Sequence, residues 1–251
     1  MRLAVVTLFP EFVEAVTRYG VIARAVERAL VQLALINPRE FAGDRRRTVD
    51  DRPYGGGPGM VMLGEPLARA IAQARAELPG AQVYYLSPQG VPVTQVTVER
   101  LATAREVILV AGRYEGIDER VVEAHVDGEL SVGDVVLSGG ELAAMVIIDA
   151  LVRLLPGALG DAESAAQDSF ATGVLDHPHY TRPPSLPEGE VPAVLASGDH
   201  GRIQAWRRQQ ALLRTWLRRP DLLAQGLARS DWRLLRQALR ARRASAADDA
   251  D

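Results

Sequence analysis

Ser131-Val132-Gly133-Asp134-Val135-Val136-Leu137-Ser138-Gly139-Gly140-Glu141 is the stretch around which the rest of the chain is organised. It packs a polar turn, a short apolar run, a double glycine and an acid into consecutive positions. Val135-Val136-Leu137 reads as a buried strand, and Ser138-Gly139-Gly140 as a sharp turn with bare N–H groups facing outward. Glu141 opens an apolar helix over 141–154, where the first turn favours negative charge. Glycine has no side chain to hold a ligand away, so such a loop can wrap a small polar molecule with main-chain groups. Taken alone, the stretch is equally a tight strand-to-helix connection in an α/β domain.

Two further loops share the design. Tyr84-Tyr85-Leu86 runs into Ser87-Pro88-Gln89-Gly90, and Val107-Ile108-Leu109-Val110 runs into Ala111-Gly112-Arg113-Tyr114-Glu115-Gly116-Ile117-Asp118-Glu119-Arg120. Ligands of open α/β sheets collect where strand carboxyl ends converge, so three such loops predict one shared site. These motifs, with Leu8-Phe9-Pro10, Asp50-Asp51-Arg52-Pro53-Tyr54 and the glycine run to Met60, His179-Tyr180-Thr181-Arg182-Pro183 and Thr215-Trp216-Leu217-Arg218-Arg219-Pro220, resemble the bacterial tRNA (guanine-N1)-methyltransferase family of the SPOUT superfamily. The resemblance runs almost the full length of the chain.

Composition bounds the class independently. At 251 residues and 47% hydrophobic, the chain can bury one large domain plus a smaller one. No stretch approaches a membrane span, and the N-terminal strand-like run lacks the longer apolar segment of a signal peptide. With no cysteine at all, the expectation is a cytoplasmic, disulfide-free protein. Missing thiols also exclude the thiolate addition that methylation of a pyrimidine carbon generally needs. All 29 basic residues are arginine, and the net charge of −3 hides a segregation. Residues 201–243 hold twelve arginines against Asp221 and Asp231, a local +10, while residues 1–200 stand at −10. A basic end on an acidic body fits a polyanion-binding region, and a solvated helical face is the plainer alternative. The partner expected is tRNA, with neither DNA nor a membrane.

In chain order, Leu3 to Leu8 reads as a buried strand, and Glu11 to Leu35 as helix interrupted at Gly20. Residues 39–60 form a long irregular loop. Its glycine run lacks the spacing, the preceding strand and the lysine of a P-loop. Arginines interleaved with aspartates there suit a phosphate-contacting surface or a brace at a subunit interface. Helix 65–78, strand 83–86, helix 94–104, strand 107–110, helix 118–124, strand 134–137 and helix 141–154 follow. This alternation predicts an α/β fold with a mainly parallel sheet. The organisation expected is a methyltransferase domain over 1–157, a flexible linker over 158–176, a small helical domain over 177–243 and a disordered tail over 244–251. Trp206 and Trp216 sit at helical spacing among arginines and read as core. Between His177 and His179 stands Pro178, with no cysteine or third histidine at ligand spacing, so that pair reads as structural.

The resemblance implies more. SPOUT enzymes tie their last sheet elements into a deep trefoil knot around S-adenosylmethionine, and periodicity shows no knot. By carry-over, Gly112 and the backbone of Val132, Gly133, Asp134, Val135, Val136 and Leu137 hold the adenosine part, and Leu86, Pro88, Gly90, Tyr114, Ser138 and Gly140 complete the pocket. Glu115 faces the cofactor's charged end. Glu115 and Asp168 are the candidate ligands for a magnesium ion. Guanine N1 carries a proton at neutral pH, so methylation needs a base beside N1 and a positive donor beside O6. Asp168 matches the base and Arg153 the donor, although Arg153 alone reads as a helix C-terminal arginine satisfying end carbonyls. Asp50, Arg52, Arg182, Arg207, Arg208 and Arg214 are the candidate tRNA contacts. The family works as a homodimer with its site shared between subunits, on the guanosine 3′ of the anticodon when another guanosine precedes it. Val135, Ala143 and Ala111 depart from a frequent tyrosine, proline and cysteine of the family. Competing readings are a SPOUT enzyme acting on a ribose oxygen or another base, a non-catalytic RNA-binding protein, and a nucleotide-dependent metabolic enzyme.

Overall fold

The computed structural model describes residues 1–160 and 162–248. Two compact units divide the chain, Met1–Ala162 and Glu163–Asp251. The first runs β1 (Arg2–Val6), α1 (Pro10–Glu14), α2 (Gly20–Glu27), β2 (Gln32–Ile36), a ribbon of β3 (Asp50–Asp51) and β4 (Val61–Met62), α3 (Gly64–Glu77), β5 (Gln82–Pro92), α4 (Gln95–Ala102), β6 (Glu106–Ala111), α5 (Glu119–His125), β7 (Gly128–Ser131) and α6 (Glu141–Arg153). β1, β2, β5, β6 and β7 make one sheet in the order β2-β1-β6-β5-β7, and every pairing in it is parallel.

Parallel strands with helices on both faces lie wholly inside, which is why β1 and β6 are unbroken apolar runs. Alternate residues supply opposite cores. Leu3, Val5, Val107 and Leu109 pack with Ala143, Ile147 and Leu151 of α6, while Ala4, Val6, Ile108 and Val110 pack with Leu67, Ile71 and Ala74 of α3. α6 also touches α1, α2 and α4.

The sequence reading of three elements changes. Glu11 to Leu35 is not one interrupted helix. α2 begins at Gly20 and ends near Ala29, whose φ of 55° reverses the chain so that Leu33 and Leu35 enter β2. Ser87 to Gly90 is not a free turn but an irregular part of β5, where the register against β7 shifts between Leu86 and Val91. Val135-Val136-Leu137 is not a buried strand: those residues are 57%, 93% and 37% exposed. The strand in that place is Gly128–Ser131, with Leu130 as its buried apolar anchor.

The second unit is helical. It contains all but the first residue of α7 (Ala162–Gln167), a hairpin of β8 (Ser185–Leu186) and β9 (Gly189–Glu190), α8 (His200–Arg218) and α9 (Arg229–Asp248). Val174, Ala211, Leu212 and Leu235 form its core. Thr215, fully buried, donates to the Ala211 carbonyl at 2.7 Å and accepts from the Leu175 amide at 2.9 Å, which satisfies its hydroxyl. The segment expected to be a flexible linker contains α7, and α9 continues through 244–248, part of the expected tail. Residues 249–251 of that expected tail lie outside the described residues.

Candidate active site

β6, β5 and β7 are neighbours, so the loops after β6 and β7 meet the irregular stretch 87–90 of β5 on one edge of the sheet. Between them lies a cavity of about 220 Å³. Of the residues expected at the pocket, Leu86, Pro88, Gly112, Tyr114, Glu115, Val132, Gly133, Val135, Val136, Leu137 and Gly140 line it. Gly90, Asp134 and Ser138 stand outside the lining. Tyr85, Ser87, Arg113, Gly116, Leu130, Ser131, Gly139 and Ala143 line it as well, and sequence reasoning missed them as site residues. Tyr85 lies among the loop glycines, and burial, helped by Glu129 and Glu119, pushes its phenol above the ordinary tyrosine value.

Two glycines show how closely this wall is built. A Cβ on Gly140 would sit 2.7 Å from the Ala111 Cα, and one on Gly90 would meet the Leu130 backbone. The Gly140 amide donates to the Gly112 carbonyl at 2.9 Å, so the loop before α6 is laid directly on the end of β6. Side chains in either place would force the strands apart.

A buried charge pair fixes the loop from behind. Glu141 is fully buried, accepts from the Thr7 hydroxyl at 2.9 Å, and has its other oxygen 2.9 Å from Nε of Arg113. That second contact is a charge contact rather than an aligned hydrogen bond. Arg113 also donates to the Ser138 carbonyl at 3.1 Å and stacks over Phe9 at 4.5 Å. Glu141 therefore does more than favour a helix start: it joins the ends of β1 and β6 to the first turn of α6. Only a sequence signal of the weakest kind, an acid after a double glycine, pointed to it.

The long loop is stitched to the same edge. Glu115 N donates to Met60 O at 2.9 Å, Met62 N to Gly116 O at 2.9 Å, and the Tyr114 hydroxyl reaches Asp50 Oδ1 at 3.3 Å. This brings Asp50 to the cavity rim, while Arg52 is exposed on the same loop. A larger hollow of about 810 Å³ lies between residues 43–48, the start of α3 and α5. Its Asp44 and Asp118 are held below the usual carboxylate range by Thr48 and Arg120 respectively, so those two acids already have partners.

Arg153 ends α6 in the first unit, and Asp168 follows α7 in the second. In the second unit Arg182 and Arg207 line one hollow with His177, His179 and Tyr180. Arg214 is half-buried on α8. Arg208, another of the expected tRNA contacts, grips Asp231 with its fork at 2.6 and 3.2 Å and ties α8 to α9. The ligating side chains that the described residues gather are Asp176, His177 and His179, with donor atoms within 4.8 Å of one another. Neither Glu115 nor Asp168 belongs to that group.

Comparison with known proteins adds one consistent result. The family described as tRNA (Guanine-1)-methyltransferase TrmD matches residues 1–225. A tRNA (guanine-N(1)-)-methyltransferase of Halorhodospira halophila is 64% identical over 89% of this chain and 85% of its own length. The proteins of that name from Methylococcus capsulatus and Nitrosospira multiformis are 61% and 57% identical, over 89% and 93% of this chain and 90% and 94% of their own lengths.

Proposed function

Because the chain belongs to the tRNA (guanine-1)-methyltransferase family, we propose that it methylates N1 of the guanosine at position 37 of tRNA, 3′ of the anticodon and preceded by guanosine. S-adenosylmethionine is the donor. The observation that carries this reading is the cavity walled by the loops after β6 and β7 and the irregular stretch of β5, with glycine at its tightest approach. Leu86, Leu130, Leu137 and Ala143 offer apolar surface to an adenine, main-chain groups of 132–140 offer hydrogen bonds to its edges, and Glu115 offers negative charge to a cationic end. When bound, the cofactor supplies an activated methyl group on its sulfonium.

The chain's own residues then manage a proton. Asp168 accepts the N1 proton, and Arg153 stabilises the charge that gathers on O6. An aspartate is a weak base at neutral pH, so the Arg153 guanidinium beside O6 has to acidify N1–H. Glu115 is the only carboxylate lining the cavity among the described residues, so the cavity itself lacks a second acid for magnesium.

Arg182, Arg207 and Arg214, with Asp50 and Arg52, are the tRNA contacts in this reading, and Arg208 serves them indirectly by fixing α8. A homodimer with a shared site is supported by α6, where Leu142 and Val146 are 44% and 54% exposed beside a buried face, near exposed Phe9 and Phe12. The loop that crosses the end of β6 through Gly140 is part of the family's trefoil knot in this reading. Among the described residues no helix is long and apolar enough to cross a membrane. The work belongs in the cytoplasm, with tRNA.

The test is methyl transfer from labelled donor to tRNA transcripts, read by nucleoside mass spectrometry. 1-Methylguanosine that disappears when guanosine 37 is replaced is the expected product. A methylated ribose, or no product, overturns the reading.

A further inference from the structure

We propose that α9 carries a phosphate-binding stripe for RNA, formed by Arg229, Arg233, Arg236, Arg240 and Arg243. The partner rests on the tRNA reading above, and the surface goes beyond it, because none of these five arginines is among the contacts named there. Steps of four, three, four and three residues put the five side chains within an arc of about 80° and a length of about 21 Å on an α-helix. All five are exposed, and they lie opposite the face that carries Leu235 and Ala238 into the core.

Among the described residues nothing on the helix neutralises them. Two other arginines of this unit are matched to acids, Arg208 to Asp231 and Arg219 to Asp221. The stripe arginines enter no ion pair among the described residues, and Asp231, the acid in the first turn of α9, is already held by Arg208. Arg229 with Arg233, and Arg236 with Arg240, are like charges four residues apart, an arrangement that weakens an isolated helix. A merely solvated face would gain from alternating acids, as in residues 44–52. Trp232 is 38% exposed beside the stripe, edge-on to Trp216 at 6.2 Å, and helps to line a shallow groove with Arg229, Arg233, Arg236 and Arg240. Arginine beside an exposed aromatic, with no base-reading polar residues except Gln237, suits the backbone of RNA rather than its sequence.

The experiment uses the full chain and compares R233A/R236A/R240A with the charge-keeping R233K/R236K/R240K. Alanine and lysine both favour helix, so α9 persists, and circular dichroism checks this. Binding of whole tRNA is followed from about 50 to 200 mM salt, where each lost phosphate contact lowers the log–log slope by about 0.7–0.9. The alanine variant is expected to lose about two units of slope and to raise KM for tRNA with kcat unchanged, and the lysine variant to keep the slope. An unchanged slope with normal methyl transfer overturns the stripe and leaves the proposed reaction standing. A reduced slope without guanine methylation keeps the stripe and overturns the reaction. If the stripe instead docks on the acidic body of a second copy, the alanine variant changes the sedimentation coefficient and not the tRNA slope, which also overturns the proposal.

Discussion

Asp168 and Glu141 are both acids, the first proposed as the base and the second held inside the fold. Asp168→Ala should leave donor binding intact by calorimetry and lower single-turnover methyl transfer by about 100-fold or more, the usual range for a lost general base. Retained turnover would remove Asp168 from the mechanism. Glu141 has no access to substrate; it is fully buried between Thr7 and Arg113. Glu141→Gln leaves the Arg113 guanidinium, 20% exposed, beside a neutral amide. Removing one member of a buried pair should cost about 3 kcal/mol in denaturant unfolding, and a loss below about 1 kcal/mol would mean that the pair acts like a surface contact. Glu141 was legible as a helix-start acid. Its partners were not, because Thr7 and Arg113 lie far from it along the chain.

The elements around the cavity tolerate little change in volume. Gly140→Ala would bring a methyl group against the Ala111 backbone, which cannot yield as a flexible side chain would. It should destabilise the first unit by about 1–3 kcal/mol and weaken donor affinity more than tRNA affinity. Parallel titrations with the two ligands check this, and equal losses in both would count against a local effect. The same elements show where pattern reading fails. Val135-Val136-Leu137 has the composition of a buried strand, yet it stands exposed at the cavity wall. An apolar run records that something covers it, not whether the cover is the domain's own core. β7 went unread because Gly128-Glu129-Leu130-Ser131 holds one clearly apolar residue, and its strand state depends on pairing with β5.

The second unit should be the acid-sensitive part of the molecule. Burial pushes the His177 imidazole below its ordinary 6.5, with His179 and Arg207 adding to the effect and Asp176 opposing it. Burial raises Asp176, but its hydrogen bond with His179, the His177 amide and the nearby charges outweigh this and leave it below 3.8. Both groups bind fewer protons folded than unfolded, so stability rises with pH. The His177 contribution is complete above about 6.5 and is lost as pH falls through that value. The Asp176 contribution is lost below 3.8. The melting temperature of the second unit should therefore fall between pH 7.5 and pH 5, and His177→Gln should flatten that dependence; a slope that survives the substitution would assign it to other groups.

Sequence by itself determined the strand–helix alternation, the three glycine-bearing loops and the gathering of arginine at one end, because each is a local property with a period or a composition. Tertiary structure alone decided the order β2-β1-β6-β5-β7, which makes three loops into one cavity, and the burial of Glu141 between residues from distant strands. Strand neighbours are chosen by the sum of many weak contacts between remote segments. No stretch of the chain carries that sum.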